Sequence, residues 1–147
     1  MQTFLPYADF SKTASCLDNK RLGKQRVESM QILNILLDTT STVGWRNHPA
    51  VLMWKGHEGV LFEYLETICN EWKSRGYNNT KLEIYVNETK SKFSNFLDSH
   101  KKIPSWLGLD KFHDSHKSNL LRKDKSYYSV NQWNVPDDLE YIWPSKT

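Results

Sequence analysis

Apolar residues recur with a helical period along most of the chain, and no stretch alternates as a half-buried strand would. "ADFSK" opens the first helical run, with Asp9 or Ser11 as N-cap, and Leu17, Val27, Met30, Leu33 and Leu37 carry it on. Gly23 falls inside this run, where glycine costs about 1 kcal/mol relative to alanine. It marks either a break between two helices or a close backbone approach. The run is expected to end near Asp38, ahead of the turn-like "DTTSTVGW". "RNHPAVLMWKGHEGVLFEYLETICNEWKSRGY" is the clearest element. Asn47 or His48 caps it, Pro49 suits its first position, and Gly76 closes it behind Lys73 and Arg75. Trp54, Leu61, Leu65, Ile68 and Trp72 form its core stripe, and Glu58 falls on that stripe. Residues 80–97 read as a third helix, "KKIPSWLG" as a break, and "DKFHDSHKSNLLRKD" as a short helix. The tail "YYSVNQWNVPDDLEYIWPSKT" is aromatic and proline-containing, and is expected to be irregular and packed back on the body. The pattern predicts an all-α fold, a compact helical bundle over residues 1–147 as one domain with an irregular aromatic C-terminal tail.

Composition narrows this little. The 147 residues are 38% hydrophobic and 13% aromatic, a length that buries a core without staples. Cys16 and Cys69 follow no metal or disulfide spacing and read as reduced, largely buried thiols. No apolar run nears the length of a membrane span, and "MQTFLPYADF" lacks the charged and apolar regions of a signal peptide. The expectation is a cytoplasmic monomer without membrane contact. The five histidines form no metal-ligand pattern, since His113 and His116 stand alone with Asp114. There is no Walker A loop, GxGxxG or GxSxG, which argues against P-loop hydrolysis and serine-hydrolase chemistry.

Charge adds more. The net charge is only +3, but it is unevenly spread. Five basic residues oppose three acidic ones before residue 38, and seven oppose three between Lys101 and Lys125. Two basic segments flanking a near-neutral middle can fold into one positive face. In "LDNKRLGKQRVE", Arg21, Gln25 and Glu28 share one helix stripe, with Lys24 beside them and Arg26 next along. Such a face either lies in solvent with weak ion pairs or holds phosphates beside one positioned carboxylate. Glu58 on an apolar stripe is either a buried, paired carboxylate or a general acid–base, and His57 beside it is structural or a contact to a ligand. Lys117, Arg122 and Lys123 precede Tyr127, Tyr128 and Trp133, a combination that suits a nucleic-acid backbone groove with stacked bases. The other reading of those rings is a tail anchored to the core.

Three blocks, in this order, resemble the pyrimidine-dimer DNA glycosylases of endonuclease V type. They are the basic helix ending "QRV", then "GHEGVLFEYLETICNEWKSRGY", then "FHDSHKSNLLRKDKSYY". "MQTFLPYADF", "CLDNKRLGKQRVE" and "GWRNHPAV" look like a cellular branch of the same family. The resemblance implies a metal-independent, cofactor-free enzyme on double-stranded DNA. Its N-terminal α-amine attacks C1′ of a damaged nucleotide, a glutamate on the first long helix assists, and strand cleavage follows through a Schiff base. The chain departs from that pattern at two points. Residue 2 is Gln, a poor substrate for removal of the initiator Met, so the amine is that of Met1 unless processing exposes Gln2. Gly23, Lys24 and Gln25 occupy the region of the family's glutamate. The acid is then Glu28 from one turn later, Glu58 from a facing helix, or absent with the chemistry changed. The catalytic candidates are therefore Met1, Glu28 and Glu58. The nucleic-acid contacts are Arg21, Lys24, Gln25, Arg26, His57, Lys117, Arg122, Lys123, Tyr127, Tyr128 and Trp133. Two other functions fit the same chain: a non-catalytic nucleic-acid- or partner-binding module, and an enzyme acting on a free nucleotide or RNA.

Overall fold

The computed structural model describes residues 1–40 and 44–144. Part of "DTTSTVGW" and the last three tail residues lie outside that range. Among the described residues there are seven α-helices and no strand: α1 (Phe10–Cys16), α2 (Asn19–Leu36), α3 (Pro49–Leu52), α4 (Glu58–Ser74), α5 (Thr80–Ser99), α6 (Asp110–Lys123) and α7 (Lys125–Tyr128). A single 3₁₀ turn follows at Ser129–Asn131. The all-α expectation holds, and the helix boundaries explain themselves locally.

Asp9 caps α1, its carboxylate accepting the Lys12 N–H at 2.9 Å. The first run does break, but at Leu17–Asp18, where both residues are extended, and not at Gly23. Gly23 stays inside α2 because its missing side chain admits the Trp72 ring of α4. A Cβ there would lie 3.2 Å from the indole. The buried stripe of α2 is Leu22, Gln25, Ser29, Ile32 and Leu33, with two polar members, while Val27 faces outward. Asp38, with φ 58°, turns the chain away just past the end of α2.

The long central run is two helices and not one. His48 caps α3, its ring accepting the Ala50 N–H at 3.0 Å. Gly56 then takes φ +87°, a left-handed turn that suits glycine, and α4 restarts at Glu58. Leu61, Tyr64, Leu65 and Ile68 of α4 are fully buried, joined in the core by Trp54 from the preceding turn. α4 packs against α1, α2 and α5 and forms the hub of the fold. Arg75 closes its end, bonding Glu71, Asn19 and the Ala14 and Ser15 carbonyls, so one guanidinium terminates α4 and satisfies the open end of α1.

α5 runs past the predicted 80–97 to Ser99 and kinks at Phe93. Its C-terminal end meets the N-terminal end of α4, where Gly59 N–H donates to the His100 carbonyl at 2.9 Å. The tail is irregular after residue 131 and packed inward, with Trp133, Tyr141 and Trp143 against the core. Cys69 is buried and Cys16 half-buried, both unpaired, and burial pushes the Cys16 thiol up to about 12.

The α4–α5 contact carries a stability prediction. A Cβ on Gly59 would lie 2.2 Å from the Leu97 carbonyl oxygen, a backbone atom that cannot step aside. Gly59→Ala is therefore expected to lower the urea midpoint by the equivalent of roughly 2–3 kcal/mol. Gly44→Ala, whose Cβ would meet nothing within 4 Å, should leave it nearly unchanged.

Candidate active site

The first five residues belong to no helix and no strand, and the last three of them run through the interior. Phe4 and Leu5 are buried and Thr3 almost wholly so. Buried backbone groups must find partners, and here side chains from three directions supply them. From α2, Gln25 accepts the Phe4 N–H at 2.9 Å and donates to the Gln2 carbonyl at 3.0 Å. From α4, the Tyr64 hydroxyl lies 2.7 Å from both the Phe4 carbonyl and Gln25 Oε1. From α6, His116 Nδ1 accepts the Leu5 N–H at 3.0 Å, and His113 Nδ1 donates to the Leu5 carbonyl at 2.7 Å. Trp54 Nε1 donates to the Thr3 hydroxyl at 3.1 Å.

This network brings the Gln2 peptide N–H to Glu28. Glu28 Oε2 accepts the Gln2 N–H at 3.1 Å and lies 3.4 Å from Gln25 Nε2. Met1 and Glu28 line one cavity of about 400 Å³, walled also by Gln31, Asn34 and Trp45. That volume lies within the range of small-ligand sites. A half-buried carboxylate, the start of the chain and a cleft thus coincide.

Cations gather next to it. Lys24 and Lys123 are exposed, from α2 and the last turn of α6. The Lys123 ammonium is held below the usual lysine range by partial burial and by the neighbouring charges of Arg21, Lys24 and Arg122, against a smaller opposing effect of Glu28. The two basic segments therefore do meet in space. Arg21 is tied to Asp18 at 3.1 Å. Arg122 donates to the Asp137 and Leu139 carbonyls and holds the tail. Lys117 stands 5.1 Å over the Tyr7 ring. Tyr127 is exposed on the surface.

Other candidates turn inward or elsewhere. Gln25 is 0% exposed and belongs to the internal network. Tyr128, also 0% exposed, bonds Asp18 through its hydroxyl, and Trp133 stacks on it while donating to the Tyr7 hydroxyl at 2.8 Å. These two rings anchor the tail. Arg26 stacks over Trp72 and bonds Asn79 at 3.1 Å, on the α4–α5 side. His57 Nδ1 contacts the Lys102 carbonyl at 2.6 Å. Glu58, 4% exposed, closes the turn before α4 by accepting the Gly56 N–H at 2.6 Å. It stands at a helix N-terminus, where negative charge is favoured. It lines a separate cavity of about 560 Å³ that contains neither Met1 nor Glu28. Among the described residues, no group of three or more His, Cys, Asp or Glu side chains gathers as a metal site, and no helix is long and apolar enough to cross a membrane.

At the start of the chain the Gln2 peptide nitrogen thus meets Glu28 beside a cleft and a cationic face. A family model described as pyrimidine dimer DNA glycosylase matches residues 1–84. The match spans more than half of the chain, from the amino terminus through α4 into α5, so the chain belongs to the pyrimidine dimer DNA glycosylase family. No curated protein and no solved structure matches.

The sequence points to Met1, Glu28 and Glu58 alike, and not to the network that brings the first two to one cavity. The signal was present in α2, where Gln25 and Ser29 share the buried stripe with Leu22 and Ile32. Polar residues on a core stripe imply polar backbone opposite.

The two imidazoles make the amino-terminal segment sensitive to acid. Burial, and to a lesser degree the neighbouring His113, lowers His116 from 6.5 to about 3. Burial lowers His113 as well. A lowered folded-state value means that the unfolded chain takes up protons first. The contribution is therefore full above pH 6.5 and is lost as pH falls from there toward 3. Urea unfolding should show stability declining between pH 7 and pH 4, with a shallower decline in His116→Asn.

Proposed function

We propose that the protein is a DNA glycosylase with associated lyase activity, acting on a damaged or modified pyrimidine in double-stranded DNA. The α-amine of Met1 is the nucleophile and Glu28 its carboxylate partner. The single observation that carries this reading is the shared cavity of Met1 and Glu28, with the Gln2 nitrogen 3.1 Å from Glu28 Oε2. Family membership supports it.

An unperturbed α-amine has a pKa of about 7.7–8.0, so a useful fraction is neutral near pH 7.5, whereas a lysine at about 10.4 is almost fully protonated. The neutral amine attacks C1′ as the N-glycosidic bond breaks, and the base leaves with the bonding pair. Positive charge develops on the sugar, and an adjacent carboxylate stabilises it. The nitrogen then gives up a proton, which Glu28 accepts. O4′ takes a proton as the C1′–O4′ bond opens, leaving an imine between C1′ and the protein nitrogen. Loss of a C2′ proton expels the 3′ phosphate and cuts the strand. Lys24, Lys123, Arg21 and Arg122 form the phosphate-facing side, with Lys117 and Tyr127 at its edge. Reaching C1′ requires the nucleotide to leave the stack. If Met1 is removed, the Gln2 nitrogen becomes the α-amine in the same place, and the mass of a trapped adduct distinguishes the two forms.

Borohydride reduction during reaction with duplexes carrying a pyrimidine dimer or an abasic site is expected to trap a covalent adduct. Glu28→Gln should slow trapping by about 10²–10³-fold with duplex binding retained. Glu58→Gln should stay within a few-fold of wild type. The reverse order would assign the acid to Glu58, and no adduct on any competent substrate would reject the amine. A non-catalytic module on this fold would bind duplex without releasing a base.

Binding should weaken with salt. Lys24→Ala and Lys123→Ala are each expected to reduce the slope of log K against log salt by about 1, because each removes one phosphate contact.

A further inference from the structure

Leu5 ends the buried amino-terminal run, and α6 grips it at both polar groups. His116 Nδ1 accepts its N–H, which requires that nitrogen to be unprotonated. His113 Nδ1 donates to its carbonyl, while His113 Nε2 accepts the Gly108 N–H at 2.8 Å. Both His113 nitrogens are thus used, in one neutral tautomer. The rings are almost wholly buried, and Phe112 and Tyr141 pack against His116 at ring separations of 4.5 and 4.8 Å. No described residue outside this pair makes a side-chain hydrogen bond to the Leu5 peptide.

We propose that His113 and His116 are positioning residues for the amino-terminal nitrogen, fixing at Leu5 the run that carries Met1 into the Glu28 cleft. This rests on the amine mechanism proposed above. Gln25 and Tyr64 hold the run sideways, through Gln2 and Phe4. A segment outside helix and sheet repeats its polar groups residue by residue, so a slip of one residue would leave similar backbone bonds available. Such a slip also moves the terminal nitrogen by about 3.3 Å. A misplacement of about 1 Å already costs on the order of 10²-fold in rate. Burial of the Leu5 side chain and the Trp54 bond to the Thr3 hydroxyl select which residue sits between the histidines, and the Leu5 clamp, on a helix separate from Glu28, then holds it there.

The test compares His116→Leu, which removes the acceptor, with His116→Asn, whose amide oxygen replaces Nδ1, and His116→Gln, whose amide lies one methylene further out. Three quantities are measured: single-turnover borohydride trapping on abasic duplex, duplex affinity, and hydrogen exchange of the Leu5 amide. His116→Leu is expected to trap about 10–100-fold more slowly, with affinity within about two-fold of wild type and faster Leu5 exchange. His116→Asn should recover to within about five-fold of wild type, and His116→Gln should remain slow. Wild-type trapping in folded His116→Leu, or equal rates in the Asn and Gln variants, overturns the proposal. If His116→Leu does not fold, the Asn–Gln comparison decides. Absence of an adduct in the wild type refutes the amine mechanism and its positioning consequence together. Leu5 exchange unchanged in His116→Gln refutes the clamp alone.

Discussion

The structure depends on burying a stretch of backbone that belongs to no helix and no sheet. Residues 3–5 lie in the core, where an unpaired N–H or carbonyl costs about 1–3 kcal/mol. Gln25, Tyr64, His113 and His116, from α2, α4 and α6, remove that cost at Phe4 and Leu5. The polar stripe of α2, the tyrosine at the centre of α4 and the two buried histidines of α6 are one solution to one constraint. Each is unfavourable in a helical core on its own, and together they hold the three helices in register around the amino terminus.

That constraint also sorts the charges. With the terminal segment fixed along α2, the Gln2 nitrogen comes to the Glu28 carboxylate at the mouth of a cleft. Arg21 and Lys24 of α2 lie toward the last turn of α6, whereas Arg26 turns to Trp72 and Asn79. The second candidate acid belongs to a different part of the architecture. Glu58 closes the Gly56 turn at the start of α4, and its cavity faces Phe96 and His100 of the α5 end. In the proposed reaction the first carboxylate works on substrate, and the second keeps the hub helix in place.

The helical class and most helix ends were legible in the chain because they arise from local chemistry. Asp9, His48 with Pro49, and Gly76 mark helix ends where the sequence places them. One boundary was misplaced, because a periodic pattern does not show where the backbone turns, while at Gly23 the close approach and not the break is the reading that holds. Gly23 breaks nothing because Trp72 fills the space above it, and the long central run divides at Gly56 because that residue turns left-handed. Glu28 and Met1 could be named from sequence, though not chosen over Glu58. The proposal of Glu28 rests on the path of the first five residues, which no local signal encodes. Gln25 read as a surface contact because helix position says nothing of which face is covered, and it is interior; Tyr128, read as either a base contact or a tail anchor, is interior as well.

The most direct test of the central claim is to locate the covalent attachment. A reduced adduct with abasic duplex is digested with trypsin, and the modified peptide is sequenced by mass spectrometry. The account predicts the modification on the α-nitrogen of the amino-terminal peptide ending at Lys12, and nowhere else. Attachment to a lysine side chain of α2 or α6, with the amino terminus unmodified, would contradict it.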